Sequence, residues 1–489
     1  MASEIRVDKI NSLSGVGTVT LSPTGVDISG ITTATTFSGS GASLTALPAG
    51  NLTVTVADAR ISTLTSSKLS GALPAVSAAN LTNVPAANVV GVHTSLTVTN
   101  ATTTGTAVVG GGVTISESGI EASGIGITVA NINGGAVSGR RNFLINGAMQ
   151  INQRITNHST TNSYNPVTGA PVTLDRWKVV NGSGFDTDSA KVLKDTDSPD
   201  GFSNSLKWDV GNTETPTGGE NSGIEQKIEA QNLQNLAYGT SSAKTMTLSF
   251  HVKSNKTGTY CVQLMQEDGT KYQLHEYTIS SSATWEKKVI TVVGNTANAI
   301  ADDTGVGIRV IWMLACGPDD HVAASSTWTS GGSFQATSNQ VNLFDNANNY
   351  WNLTGCQIEI GTQATEFEPR SHGEELALCQ RYFQKSYSPS TETGTATSVG
   401  AIMHSVAVSQ NYASPGTVRF PVQMRAVPTM TLYSAQTGTS GKINADTTDG
   451  VGAAYGTNEN GTMFYRSNDG SGVSVNAFLR CQYTAEAEL

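Results

Sequence analysis

The chain has 489 residues, of which 13% are charged, and its formal net charge at pH 7 is −10. The charged fraction is about half the usual ~25%, and no cluster of Lys and Arg is dense enough to neutralise a nucleic-acid backbone or to hold an anionic membrane. No run of ~18 apolar residues predicts a membrane span. Frequent Val, Ile, Thr and Ser favour pleated β structure, so we expect an all-β protein.

The five cysteines are odd in number and widely spaced, which fits neither a disulfide framework nor a zinc motif. We expect reduced, mostly buried thiols and no metal or other cofactor. The positions are Cys261, Cys316, Cys356, Cys379 and Cys481.

Residues 11–139 carry six charged side chains and a single aromatic, Phe37. Ala, Thr, Val and Ser bury too little area to offset chain entropy, so this stretch cannot build a core of its own. It contains an internal repeat, in which residues 42–52 match residues 79–89. Two copies are too few for a self-supporting solenoid, so we predict that residues 31–139 form a stalk stabilised by other copies of the chain. A flexible Ser/Thr/Gly linker is the alternative.

Residues 140–370 change to short strands at intervals of roughly 8–15 residues, with turn residues between them, which predicts a β-sandwich of jelly-roll type. Ser371 and Glu374 form a capping box that opens a short helix near residues 372–384. The helix and the strands after it predict a smaller β domain over residues 371–489. The first charges after Glu121 are Arg140 and Arg141, at the start of the sandwich.

Aromatic side chains are the candidates for contact with a sugar ring. Four tryptophans lie within strand patterns and are expected in the core: Trp177, Trp208, Trp312 and Trp351. Trp328 and Tyr164 stand in loop-like settings, and Asp319, Asp320 and His321 lie near Trp328 in the sequence, where they would hydrogen-bond hydroxyl groups.

Further candidates are Tyr455 and Asn458, which we expect in a Gly/Asn-rich loop of the last domain that faces the host. The acidic pairs of the chain are more typical of turns, in which Asp bonds to its own backbone, than of a pair of catalytic carboxylates. We therefore predict no catalytic residue.

Two motifs resemble the head of tail-fibre proteins from tailed bacteriophages. The opening motif is Asn142-Phe-Leu-Ile-Asn-Gly-Ala-Met-Gln-Ile-Asn-Gln-Arg154, followed by residues 174–177. The closing motif is Gln357-Ile-Glu-Ile-Gly-Thr-Gln-Ala-Thr-Glu-Phe-Glu-Pro-Arg370, followed by residues 374–383. Residues 4–11 and 30–41 resemble fibres of marine cyanobacterial phages in particular.

The resemblance implies a homotrimeric fibre on the virion tail, made in the cytoplasm of the bacterial host. Its residues 1–30 would attach to a tail adaptor or nozzle protein, and its C-terminal domains would bind a host surface polysaccharide or outer-membrane receptor. Arg140 and Arg141 would lie at the joint where three heads diverge from one axis.

The head also resembles carbohydrate-binding jelly-roll modules, many of which hold a structural calcium just after an Asn-Gly pair. Here Asn146 and Gly147 are followed by Ala148, Met149 and Gln150, so the acidic ligand is missing. Two alternatives to an adhesive fibre remain open, namely a polysaccharide-degrading tailspike enzyme and a purely structural fibre or decoration protein.

Overall fold

The computed structural model of the chain describes residues 9–11, 18–33, 35–36, 38, 107–109, 113–116, 119–122, 140–154, 174–182, 184–185, 190–332, 334–407, 413–467 and 473–489. The chain divides into two compact units, Met1–Thr104 and Gly105–Leu489. Both repeat segments of the predicted stalk, residues 42–52 and 79–89, lie outside the described residues.

The first unit contains one antiparallel sheet of three strands: β1 (Lys9–Asn11), β2 (Thr18–Ser22) and β3 (Gly25–Ser29). Leu21 stands opposite Val26 in the register, and Val19 stands opposite Ile28. Because side chains alternate along a strand, these four residues share one face of the β2–β3 hairpin. Leu21, Val26 and Ile28 are 42%, 58% and 41% exposed, so the described part of the chain leaves this apolar face largely exposed.

The second unit begins with a small antiparallel sheet: β4 (Ala107–Val109), β5 (Val113–Ser116) and β6 (Gly119–Ala122). Eleven further strands build a sandwich: β7 (Lys178–Asn181), β8 (Lys191–Asp195), β9 (Ser205–Asp209), β10 (Asn221–Glu229), β11 (Met246–Ser254), β12 (Gly258–Gln266), β13 (Lys271–Ile279), β14 (Glu286–Val292), β15 (Val306–Cys316), β16 (Ser325–Ser330) and β17 (Tyr350–Ile360). Short 3₁₀ helices span Ala230–Leu236, Pro318–Asp320 and Leu343–Asp345.

The strands form a six-stranded sheet, in the order β16-β13-β12-β15-β10-β7, and a five-stranded sheet, in the order β14-β11-β17-β9-β8. Apolar residues of both sheets make one core, in which the four strand-pattern tryptophans are fully buried. Trp312 of β15 meets Phe250 of β11 edge to face across the sandwich, with ring centroids 5.7 Å apart, an arrangement that aromatic pairs prefer. The predicted all-β class and β-sandwich are confirmed.

The outer face of the six-stranded sheet is covered by the chain that follows β16. Phe334 and Ala336 pack there against Ile311 and Met313, and the Gln263 side chain donates to the carbonyl of Gly332 at 2.9 Å. This face is therefore closed by a second, smaller core.

The C-terminal module contains the α-helix α1 (His372–Gln380) and one eight-stranded sheet. Its strands are β18 (Phe383–Lys385), β19 (Ile402–Ser405), β20 (Ala413–Arg419), β21 (Thr429–Ser434), β22 (Lys442–Ala445), β23 (Thr448–Asn458), β24 (Gly461–Arg466) and β25 (Phe478–Glu486). The predicted capping box of Ser371 and Glu374 is present. The helix is shorter than predicted: it ends at Gln380, and Phe383 instead pairs with β25.

Buried charges join the C-terminal module to the sandwich. Glu229, at the end of β10, is 0% exposed and accepts hydrogen bonds from Arg381 at 2.6 and 2.9 Å and from the Tyr382 hydroxyl at 2.8 Å. Glu488 pairs with Arg176 and with Arg154, the latter at 3.1 Å. Burial acts to raise the pKa of Glu488, but these two guanidinium groups outweigh burial, so that the pKa is lowered.

All five cysteines are buried and free, as predicted. Burial raises the pKa of the Cys481 thiol to about 12 and that of Cys316 to about 12. These thiols stay protonated at neutral pH and pack as small apolar side chains.

We expect Glu229→Ala to lower the free energy of unfolding by about 3 kcal/mol, because removal of one partner leaves the Arg381 guanidinium without its buried counter-charge. Urea unfolding measures the change. Asp209→Ala is the control, since Asp209 pairs with Lys207 at the surface and exposed pairs contribute only ~0–1 kcal/mol. Equal losses in the two variants would contradict a role for Glu229 in holding the module to the sandwich.

Candidate functional site

Trp328 lies on a strand rather than in the predicted loop. It belongs to the edge strand β16, packs against the sandwich core, and its indole N–H donates to the carbonyl of Val293 at 2.7 Å. Its ring also meets Tyr238 edge to face at 5.8 Å. The indole is thus held against the sandwich rather than presented as a free platform.

Asp319, Asp320 and His321 follow β15 and are anchored at its end. The Asp319 amide donates to the carbonyl of Gly218 at 3.0 Å, and the His321 ring lies 3.2 Å from the Cys316 carbonyl.

Trp328 lies at the opposite end of this sheet. Its neighbour Thr329 pairs with Tyr272 of β13. Tyr272 pairs with Met265 of β12, and Met265 pairs with Arg309 of β15, so these residues lie at the same height in the sheet. Arg309 and Cys316 are seven residues apart along the strand, about 23 Å at ~3.3 Å per residue. The structure therefore does not bring the acidic residues to Trp328.

Tyr164 lies outside the described part of the chain. Tyr455 and Asn458, predicted in a loop, belong to strand β23. Tyr455 is 66% exposed, and the Asn458 side chain accepts from the amide of Asn460 at 2.8 Å in the turn before β24. The Gly/Asn content marks this hairpin turn rather than a long loop.

Arg140 is exposed at the start of the sandwich, and the Arg141 amide donates to Glu368 at 3.0 Å. Glu368 belongs to the closing motif, so the two motifs meet at this point. The role of Arg140 and Arg141 as a joint between three heads stays a prediction.

The outer face of the five-stranded sheet carries a cavity of about 420 Å³. Ser249 and His251 of β11 and Lys287 of β14 form its floor, the turn between β8 and β9 supplies one wall, and the closing motif supplies the other. Its lining residues are Asp200, Gly201, Phe202, Ser249, His251, Lys287, Gly355, Glu366, Phe367 and Pro369. This volume lies within the range of sites for small ligands, roughly 300–1,000 Å³.

Aromatic rings line one corner of the cavity. Phe202 and Phe367 meet edge to face, with centroids 5.1 Å apart and planes at 69°, and Phe202 lies 5.3 Å from the His251 ring. A Cβ atom on Gly355 would stand 2.7 Å from the Phe202 ring and 2.8 Å from Nδ1 of His251. Glycine at this position therefore lets the Phe202 and His251 rings pack directly against the backbone of β17.

The polar groups of the cavity include both donors and acceptors. Among the described residues, the side chains of Asp200, Lys287 and Glu366 form no hydrogen bond or ion pair, and all three are exposed. His251 stands opposite Lys287 in the register. Burial, and then the Lys287 ammonium, lower the pKa of His251, while Glu366 acts in the opposite direction. The imidazole is therefore neutral at pH 7.

A second polar cluster lies beside this cavity. Lys253 is on the same side of β11 as His251, two residues further on, and its ammonium pairs with Asp197 at 2.5 Å. The indole N–H of Trp285 donates to the other oxygen of Asp197 at 3.1 Å. Partial burial acts to raise the pKa of Asp197, but the bonds from Lys253 and Trp285 outweigh it and lower that pKa.

The sequence alone did not predict this cavity, although its floor and one of its walls left a signal. Thr247, Ser249, His251 and Lys253 alternate with apolar residues in β11, which marks an outward polar row. Phe367 lies in the closing motif, which was interpreted only as a resemblance to the heads of tail-fibre proteins and not as part of a binding site. Phe202 carried no signal, because only the fold brings the β8–β9 turn beside the closing motif.

Within the ranges that the structure describes, no helix is long and apolar enough to cross a membrane. In those same ranges, no group of three or more His, Cys, Asp or Glu side chains is arranged to hold a metal ion.

No protein-family model matches the chain, and no curated protein matches it by sequence. Solved structures that resemble it include the enzymatically active domain of tailspike protein 4 from bacteriophage CBA120, at 12% identity and a TM-score of 0.23, over 40% of this chain and 21% of that one. The chain thus spans about a fifth of that domain.

Carbohydrate-binding modules are also among the similar structures. A CBM4 module matches at 16% identity and a TM-score of 0.23, over 44% of this chain and 97% of the module. The family 11 module from Clostridium thermocellum, in complex with a β-1,3-1,4-mixed-linked tetrasaccharide, matches at 13% identity and a TM-score of 0.20, over 39% and 91%.

We expect Gly355→Ala to destabilise the protein more than Gly441→Ala does. Both glycines have positive φ, +62° and +72°, but only Gly355 has atoms within 4 Å of the new Cβ. Backbone strain of about 1–2 kcal/mol is common to both variants, and the contact with Phe202 and His251 adds to it in Gly355→Ala. Thermal unfolding compares the two, and equal losses would show that the corner yields to a methyl group.

Proposed function

We propose that the chain is a tail fibre of a bacteriophage that binds a glycan on the host cell surface, and that the cavity lined by Phe202 and Phe367 is its glycan site. The opening and closing motifs support the fibre assignment, and the chemistry of the cavity supports the ligand class. The protein acts as a non-covalent adhesin without a catalytic step.

The observation that carries the glycan assignment is the combination of aromatic carbon with unpaired polar groups in one cavity. A sugar presents C–H groups on one side and hydroxyl groups around its edge. Phe202 and Phe367 offer contact for the C–H groups, while Lys287 donates to hydroxyl oxygens and Asp200 and Glu366 accept from hydroxyl protons. A few convergent polar groups in a largely apolar pocket are typical of small-ligand sites.

The first unit supports association of several copies, and the resemblance to tail fibres implies that the number is three. The apolar face formed by Val19, Leu21, Val26 and Ile28 has no core to cover it within its three-stranded sheet, and exposed apolar faces mark interaction sites. Three copies would bind a repeated surface polymer together. Once one site is bound, the other two sites meet the polymer at a high effective concentration, so the avidity of the trimer exceeds the affinity of a single site. In this proposal residues 1–30 also attach the fibre to a tail adaptor or nozzle protein.

A polysaccharide-degrading tailspike is the second candidate, because Asp200 and Glu366 line the same cavity and glycosidases use two carboxylates across a sugar cleft. Incubation with host surface polysaccharide separates the two functions. We expect the polymer to keep its length. Release of new reducing ends would show cleavage and would overturn the proposal that the protein is an adhesin.

We expect Phe202→Ala to weaken binding of host surface polysaccharide about tenfold or more, since a buried aromatic contact at the centre of a site carries much of the binding energy. Isothermal titration calorimetry measures the affinity. Phe478→Ala is the matched control, because Phe478 is 54% exposed on the C-terminal module. Loss of binding in the control with retention in Phe202→Ala would place the receptor site on that module instead.

We expect the intact protein to sediment at three times the chain mass of 50.8 kDa, because three copies cover the apolar faces that one chain leaves exposed. Analytical ultracentrifugation at several concentrations measures this mass. A folded monomer would be inconsistent with the trimeric fibre.

A further inference from the structure

We propose that the cavity selects a neutral sugar that bears an acetamido group, that is, an N-acetylated amino sugar of a surface glycan. This inference rests on the proposed glycan function and names the class of sugar that the site recognises. It follows from the shape of the aromatic corner and from the charges around it.

The aromatic corner is concave rather than flat. The rings of Phe202 and Phe367 are inclined at 69°, so they do not form one platform on which a sugar face could stack across both. Pro369 lines the same wall, and Gly355 lets the Phe202 ring pack against the backbone at the base of the corner. A corner of two rings and a proline surrounds a compact apolar group, and the methyl of an acetamido substituent has this form.

The polar groups beside the corner complement an amide. An acetamido group presents one N–H donor and one carbonyl acceptor next to its methyl. The Lys287 ammonium offers a donor for the carbonyl, and the carboxylates of Asp200 and Glu366 offer acceptors for the N–H and for ring hydroxyls. None of the three has a hydrogen bond or ion pair in the described chain, so each is free to bind the ligand.

The charges of the cavity disfavour an anionic sugar. Two carboxylates, Asp200 and Glu366, face one ammonium, Lys287. His251 adds no positive charge at neutral pH because its pKa is lowered by burial and by Lys287, and its Nδ1 atom is buried without a hydrogen-bond partner. A uronic acid would therefore meet more negative than positive charge, whereas an N-acetylated sugar brings none.

Calorimetry of the full-length protein with four oligosaccharide series tests the proposal: N-acetylglucosamine, glucose, glucosamine and glucuronate. We expect the N-acetylated series to bind about tenfold more tightly than the glucose series, from one buried methyl and one added hydrogen bond. In saturation-transfer NMR we expect the acetamido methyl to receive the strongest transfer.

Two variants localise the effect. Phe367→Ala should bring the N-acetylated and glucose series to similar affinity, because it opens the corner that holds the methyl, while Phe478→Ala should leave the tenfold preference unchanged. Circular dichroism checks that both variants are folded. A third variant, Lys287→Met, should weaken binding of the N-acetylated series about tenfold, which would support the contact with the acetamido carbonyl independently of the aromatic corner.

The outcomes distinguish the acetamido specificity from the glycan function on which it rests. Equal binding of the glucose and N-acetylated series, or tightest binding of glucosamine or glucuronate, overturns the acetamido specificity and leaves the glycan site in place. Failure of every oligosaccharide and of host surface polysaccharide to bind overturns the glycan function and this inference together.

Discussion

The buried side chain of Asn146 holds together the region on which the rest of the second unit depends. Its Oδ1 accepts from the amides of Gln150 and Ile151, and its Nδ2 donates to the carbonyls of Ile151 and Asp175. Its amide donates to Glu375 of α1 at 2.5 Å. Its φ of +59° is a conformation that Asn tolerates better than most residues. The side chain of Asn146 thus fixes the opening motif, and its backbone N–H holds the start of the C-terminal module against that motif.

The closing motif is held by the same kind of contact. Asn142 accepts from the amide of Ile358 and donates to the carbonyl of Cys356, both at 3.0 Å, and a Cβ atom on Gly147 would overlap the Cys356 carbonyl. The end of β17 is thereby fixed before the chain turns through Glu366 and Phe367. One wall of the candidate glycan site is therefore set by the joining of the two motifs.

Packing covers the outer face of the six-stranded sheet and the indole of Trp328. The six-stranded sheet has its outer face covered by residues around Phe334, and Trp328 is bound to the sandwich by its indole N–H. The five-stranded sheet instead keeps an outer row of Ser249 and His251 beside an uncovered cavity. The alternation of side chains along a strand shows that such a row points outward from its sheet. Only the tertiary structure shows which of the two sheets has its outward row covered by another segment of the chain.

The sequence by itself determined the elements whose signals are local. The short strands at regular intervals, the capping box of Ser371 and the burial of the strand tryptophans depend on neighbours a few residues away, and all were predicted. The tertiary structure decided what depends on distant pairs: Glu229 meets Arg381 across 152 residues, and Phe202 meets Phe367 across a longer separation. Contacts of this kind are set by strand order and register, which no local pattern encodes. The fold class was therefore readable from composition and period, whereas the site was assembled by topology.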